Sequence, residues 1–94
     1  MSLDEEVRLA GKSREVLTND AFKHAFGEIE QSLLDGIKRC PLKDVDLREK
    51  LCLSYTILHQ LRDQLQSLID TGRMAEEEIK QKTLMERAKE YFNV

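Results

Sequence analysis

Apolar and polar positions follow a helical period along most of this chain. Between residues 20 and 39, Phe22, Phe26, Ile29, Leu33 and Ile37, with Cys40 just beyond, step by 4, 3, 4, 4 and 3 and so share one helical face. Pro41 ends that stretch, because its ring donates no backbone hydrogen bond and pushes the preceding residue out of helical geometry. Further on, Leu47, Leu51, Ser54, Leu58, Leu61, Leu65 and Leu68 alternate steps of 4 and 3, a heptad repeat. Thr71-Gly72 predicts its end, since glycine accepts the left-handed conformation found just past many helices. A weaker stripe, Val7, Ala10, Val16 and Leu17, predicts a first helix, with Ser2 and Glu5 at capping-box spacing before it. Thr18-Asn19-Asp20 breaks that helix and supplies the cap of the next. Ile79, Met85 or Leu84, Ala88 and Phe92 predict a last one.

The pattern therefore predicts an all-α fold in a single domain, residues 1–94, with helices at 4–17, 20–39, 46–71 and 74–92. The two strong stripes match each other as antiparallel partners. Phe22 with Leu65, Phe26 with Leu61, Ile29 with Leu58, Leu33 with Ser54 and Cys40 with Leu47 all have numbers adding to 87. This register agrees with a short connection near Lys43. The expectation is a long antiparallel helical hairpin, about 30 Å at roughly 1.5 Å per residue, with a short N-terminal helix and a C-terminal helix that either packs on the hairpin or projects from it. Leu34, Leu53 and Ile57 lie off the expected seam, and with Leu42 they place an apolar patch near the elbow. Burying each such side chain is worth about 1.5 to 3 kcal/mol, so the patch is the expected interaction surface of an oligomer, with cover by the first or last helix as the alternative.

Composition supports this picture. One proline and four glycines among 94 residues leave strong helix formers dominant. A chain of this length buries a modest share of its surface, which makes self-association a natural source of stability. The net charge of -3 falls in residues 1–46, with 7 bases against 10 acids, while residues 47–94 balance 8 against 8. Neither half is a basic arm suited to phosphates. No apolar run approaches the roughly 18 to 20 residues of a membrane helix, and no leader pattern precedes the first helix. A soluble, unsecreted chain with reduced thiols is expected, without a membrane.

The segment CPLKDVDLREKLC, residues 40–52, concentrates the candidate chemistry. Its two cysteines, with eleven residues between them, fit no zinc or thioredoxin spacing. Cys40 closes a helix C-terminus, where the dipole disfavours a thiolate, and Cys52 lies more than a turn inside the next helix. Asp46 and Glu49 have capping-box spacing, with Asp44 as a further acceptor for free amides. Arg48 and Lys50 are expected to reach acids such as Asp35. A phosphate grip would use Lys38, Arg39, Lys43 and Arg48, but Asp35, Asp44, Asp46 and Glu49 offset them. His24 and His59 lie on different helices and are not opposite each other in the register, so both are expected at the surface or rim and no metal is expected. A helix-turn-helix with TND as its turn would offer only Lys23 and His24 to bases. No glycine-rich phosphate loop, nucleophile elbow or zinc-protease motif occurs. Neither catalysis nor a cofactor is expected.

The run FKHAFGEIEQSLLDGI, then CPLKDVDLREKL, then a leucine-rich helix ending LIDTG, resembles a group of small helical proteins encoded by tailed bacteriophages. The resemblance covers residues 22–72, and this chain departs from the pattern at Cys52, where an aromatic residue is common. It implies a phage setting, in the host bacterial cytoplasm or the virion, without a catalytic residue to carry over. The functional expectation is a non-enzymatic, self-associating phage protein acting as a virion, assembly or accessory component. Its expected partners are further copies of itself and a phage or host protein. Two alternatives stand beside it: a DNA-associated factor, either packaging (like a terminase small subunit) or regulatory, and an inhibitor of a host protein.

Overall fold

The computed structural model describes residues 1–92. Among them three helices account for the secondary structure, with no strand: α1 (Leu3–Thr18), α2 (Asp20–Arg39) and α3 (Val45–Phe92). The all-helical class follows from the residues. Side chains at the predicted caps satisfy amides that a helix start leaves without partners. Ser2 Oγ accepts from the Glu5 amide at 3.2 Å, and Asn19 Oδ1 accepts from the Phe22 amide at 2.9 Å. Asn19 alone separates α1 from α2. α2 ends at Arg39, where Cys40 turns extended (φ -64°, ψ 126°) as a residue before proline must.

The elbow corrects two expectations. The cap of α3 is Asp44, whose Oδ1 accepts from the Leu47 amide at 3.1 Å, while Asp46 lies inside the first turn and pairs with Lys50 at 3.0 Å. The reason is the turn Pro41 to Asp44, closed by Asp44 N–H to Pro41 O at 3.0 Å, which starts the helix two residues early. Arg48 does not reach Asp35. Its Nη2 donates to the carbonyls of Pro41 at 3.2 Å and Cys40 at 3.5 Å, past the end of α2. Asp35 instead accepts from Gln31 Nε2 on its own helix, at 3.0 Å.

The largest correction lies at Thr71-Gly72. The expected stop is absent, and α3 runs through it as one 48-residue helix in place of helices at 46–71 and 74–92. No glycine among the described residues has positive φ, so Gly72 is not a left-handed terminator. It is buried mid-helix, where a Cβ would collide with that of Ala10 and come within 3.0 Å of the Glu6 carbonyl oxygen. A missing side chain has two uses, a left-handed turn or a close approach of backbones, and this fold uses the second.

The chain divides into two compact units. The terminal unit comprises Met1–Arg14 and Leu65–Val94, so that most of α1 joins the second half of α3. Its core is made of small side chains: Ala10, Ser13, Gly72 and Ala75 are buried. From Lys80 to Phe92 every residue is exposed, including Leu84, Met85 and Phe92 from the thin stripe of the expected last helix.

The central unit, Glu15–Gln64, holds the end of α1, all of α2, the elbow and the first part of α3. Phe26 is its buried side chain. The Phe26 ring meets that of His59 edge-on at 5.7 Å, and the Arg62 guanidinium lies 5.1 Å over the same ring. Near the elbow, Gly36 allows Leu51 close, for a Cβ there would sit 3.3 Å from Leu51 Cδ2.

Candidate functional site

Two features of the central unit carry polar chemistry or open apolar surface, and both arise from the rotation of α3 about its own axis. The heptad of α3 consists of two columns, each with a seven-residue spacing. Leu51 and Leu58 in one column are half-buried, whereas Leu47, Ser54 and Leu61 in the other are exposed. A straight helix has 3.6 residues per turn, so a strict seven-residue repeat drifts across its face by roughly 20° per heptad. Tyr55 and His59, absent from the expected seam, are half-buried. The seam expectation is thus half corrected, because α2 contributes one buried ring, Phe26, whose neighbours on α3 are the aromatic and cationic side chains beside the leucine stripe.

On the ring side, His59 is the centre of a small network. Arg62 Nη2 lies 2.9 Å from His59 Nδ1, and His59 Nε2 lies 2.7 Å from Glu30 Oε2 on α2. Nε2 is buried and makes no hydrogen bond by geometry, although Glu30 Oε2 is its near neighbour. Tyr55 stacks on the imidazole at 4.3 Å and 36°, and Phe22 lies 5.9 Å from Phe26. His24, by contrast, is an exposed surface histidine, 3.0 Å from Glu28 one turn along the same helix. His59 is not a free rim residue. One sequence signal was available: Tyr55, His59 and Arg62 stand at spacings of 4 and 3, a second ridge beside the leucines.

On the other side, Ile29 and Leu33 of α2 and Ser54, Ile57, Leu58 and Leu61 of α3 line an open groove. Ile29, Ile57 and Leu61 are 51%, 56% and 52% exposed. Of the four residues expected to form an interaction patch, only Ile57 lines this groove. Leu53 is exposed one turn before it, Leu42 is 85% exposed on the elbow, and Leu34 is half-buried in α2. The structure therefore does not bring those four together at this site. Ile29, Leu33, Leu58 and Leu61 were assigned to the seam by their heptad positions, which tell nothing of how far the second column would be covered.

The elbow offers little reactive geometry. Cys40 Sγ donates to the carbonyls of Pro41 and Asp44 at 3.6 and 3.5 Å, and Cys52 is exposed and unpaired in any disulfide. Among the described residues no group of three or more histidine, cysteine or acidic side chains is placed to hold a metal ion. Among the same residues no helix is long and apolar enough to cross a membrane. The single residue between α1 and α2 is shorter than the 3 to 4 residues usual in a helix-turn-helix. Comparison with protein-family models, curated proteins and solved structures finds no match to this chain.

Proposed function

We propose that this protein is a non-enzymatic, self-associating helical component that works through protein-protein contacts. The observation that carries the reading is the half-used heptad. A two-column leucine repeat specifies packing on two sides, and within the central unit Leu51 and Leu58 are half-buried while Leu47 and Leu61 stay exposed beside Ile29 and Ile57. Among the described residues the buried apolar side chains are Ala10 and Ala75 in the terminal unit and Phe26 in the central one, which leaves each unit with little apolar burial. Pairing exposed columns between copies would enlarge it and satisfy the heptad at once.

An antiparallel hairpin of α2 and the first part of α3 belongs to this proposal. It is supported by contacts whose partner numbers fall as the others rise: Phe26 with His59 and Arg62, Glu30 with His59, and Gly36 with Leu51. The Gly36 and Leu51 pair falls in the register expected from sequence, with numbers adding to 87. The resemblance of residues 22–72 to small tailed-phage proteins supplies the setting, a virion, assembly or accessory role in the host cytoplasm or the particle.

Sedimentation or light scattering at micromolar concentration tests the reading. The mass should exceed that of one 10.9 kDa chain, and Leu61→Asp should lower it toward the monomer without loss of helicity. A monomeric wild type would overturn it. In that case, salt-dependent retardation of DNA would favour the packaging or regulatory alternative, and stoichiometric capture of one host protein would favour the inhibitor.

A further inference from the structure

The His59 network has a property that neither the groove nor the heptad explains: it fixes where the imidazole carries its proton. Arginine has only donors. The Arg62 Nη2 contact at 2.9 Å therefore requires a lone pair on His59 Nδ1, which places the proton on Nε2, toward the Glu30 carboxylate at 2.7 Å. The same guanidinium lies 5.1 Å over the Phe26 ring, where ring quadrupole and positive charge attract. Arg62 is thus held by two acceptors at once, an imidazole lone pair and an aromatic face, and the first exists only while His59 is neutral.

We propose that His59 is a proton-operated latch: neutral, it holds Arg62 over Phe26, and when Nδ1 takes a proton from solvent it releases Arg62 and remains paired with Glu30. The titratable and charged groups facing the imidazole define the exchange. Glu30 approaches from α2, and Arg62 and Tyr55 from α3, with the Phe26 edge closing the remaining side. Protonation removes the lone pair that Arg62 uses and places a like charge beside the guanidinium. It also gives Glu30 a full counter-charge, so the histidine stays where it is while the arginine leaves. Phe26, the buried ring of the central unit, then loses part of its cover. Histidine is the side chain suited to such a role, because its charge ordinarily changes between about pH 5 and 8.

The test is a nitrogen-15 titration of the full chain from pH 8 to pH 5, following the histidine rings, the Arg62 side chain and the Phe26 ring. At pH 8 the His59 Nδ1 resonance should be of the unprotonated type and Nε2 of the protonated type, with a separate, slowly exchanging Arg62 side-chain signal. On acidification the Arg62 and Phe26 signals should shift with the His59 signals, whereas they should be independent of His24, which is exposed beside Glu28 on α2. Arg62→Met should leave His59 a mixture of both tautomers at pH 8. His59→Phe, which keeps an aromatic ring in the stack, should abolish the pH response of Arg62 while helicity is retained. The latch is overturned if Nε2 is the unprotonated nitrogen at pH 8, if His59 is already doubly protonated there, or if Arg62 does not follow the His59 midpoint.

Discussion

Each unit is packed internally by means opposite to the other's. In the terminal unit, Gly72 and Ala75 of α3 are buried with Ala10 of α1, and the helices approach until the Glu6 carbonyl would be only 3.0 Å from an added Cβ at Gly72. In the central unit the space between α2 and α3 is filled by Phe26 and His59, with Tyr55 and Arg62 around them. A contact made of missing atoms tolerates no addition, since the neighbours are backbone and Cβ atoms that cannot turn aside. A contact made of large rings tolerates no removal, since little else fills the gap. The same long helix thus serves two packing rules, and opposite substitutions should damage its two halves.

The sharpest break is expected from Phe26→Ala. Removing the central unit's buried ring should cost about 3 to 5 kcal/mol, read from urea unfolding, with amide exchange accelerating in α2 before α1. A cost below about 1 kcal/mol would show that the ring cluster does not hold this unit. Next is Gly72→Ala. Alanine normally favours a helix by roughly 1 kcal/mol over glycine, but here overpacking of about 1 to 3 kcal/mol opposes it. Net destabilisation, with exchange rising first in residues 3–14, is the expected outcome, and stabilisation would remove the close-approach account.

The elbow gives a smaller effect. Asp44→Ala should cost about 1 kcal/mol, the usual loss of an N-cap, whereas Asp46→Ala should change stability by less than about 0.5 kcal/mol as an exposed ion-pair partner. Equal costs would return the cap to Asp46. The smallest effect should carry the opposite sign. Gly27 in α2 is exposed with nothing within 4 Å of an added Cβ, so Gly27→Ala should stabilise by about 0.5 to 1 kcal/mol in thermal unfolding. The contrast with Gly72 is the direct measure of what close packing requires.

How much of this could be read beforehand depends on the range of the interaction. Ser2 and Asn19 cap helices through hydrogen bonds to amides three residues ahead, and Pro41 acts on the residue before it, so these boundaries were legible. Asp44 and Asp46 compete for the same task two residues apart, and the turn closed by Pro41 O decides between them. Gly72 was misread because a stop and a close approach call for the same residue, and only the presence of Ala10 across from it distinguishes them. Leu58 and Leu61 were assigned to one seam by spacing, yet one is half-buried and the other exposed, since spacing cannot say which column a neighbour covers. For the same reason spacing does not tell that, of Leu34, Leu42, Leu53 and Ile57, Ile57 alone lines the groove.

By itself, then, the sequence determined the helical class, the boundary of α1 with α2 and the end of α2: composition, heptad spacing and local capping act within a few residues and need no partner. Tertiary structure decided what the helices do with their faces. It turned a glycine from a terminator into a contact, set Phe26 on His59, and left Ile29, Ile57 and Leu61 uncovered. The physical reason is that a helix is stabilised by bonds to its own fourth neighbour, whereas the burial of a side chain depends on atoms brought from elsewhere in the chain.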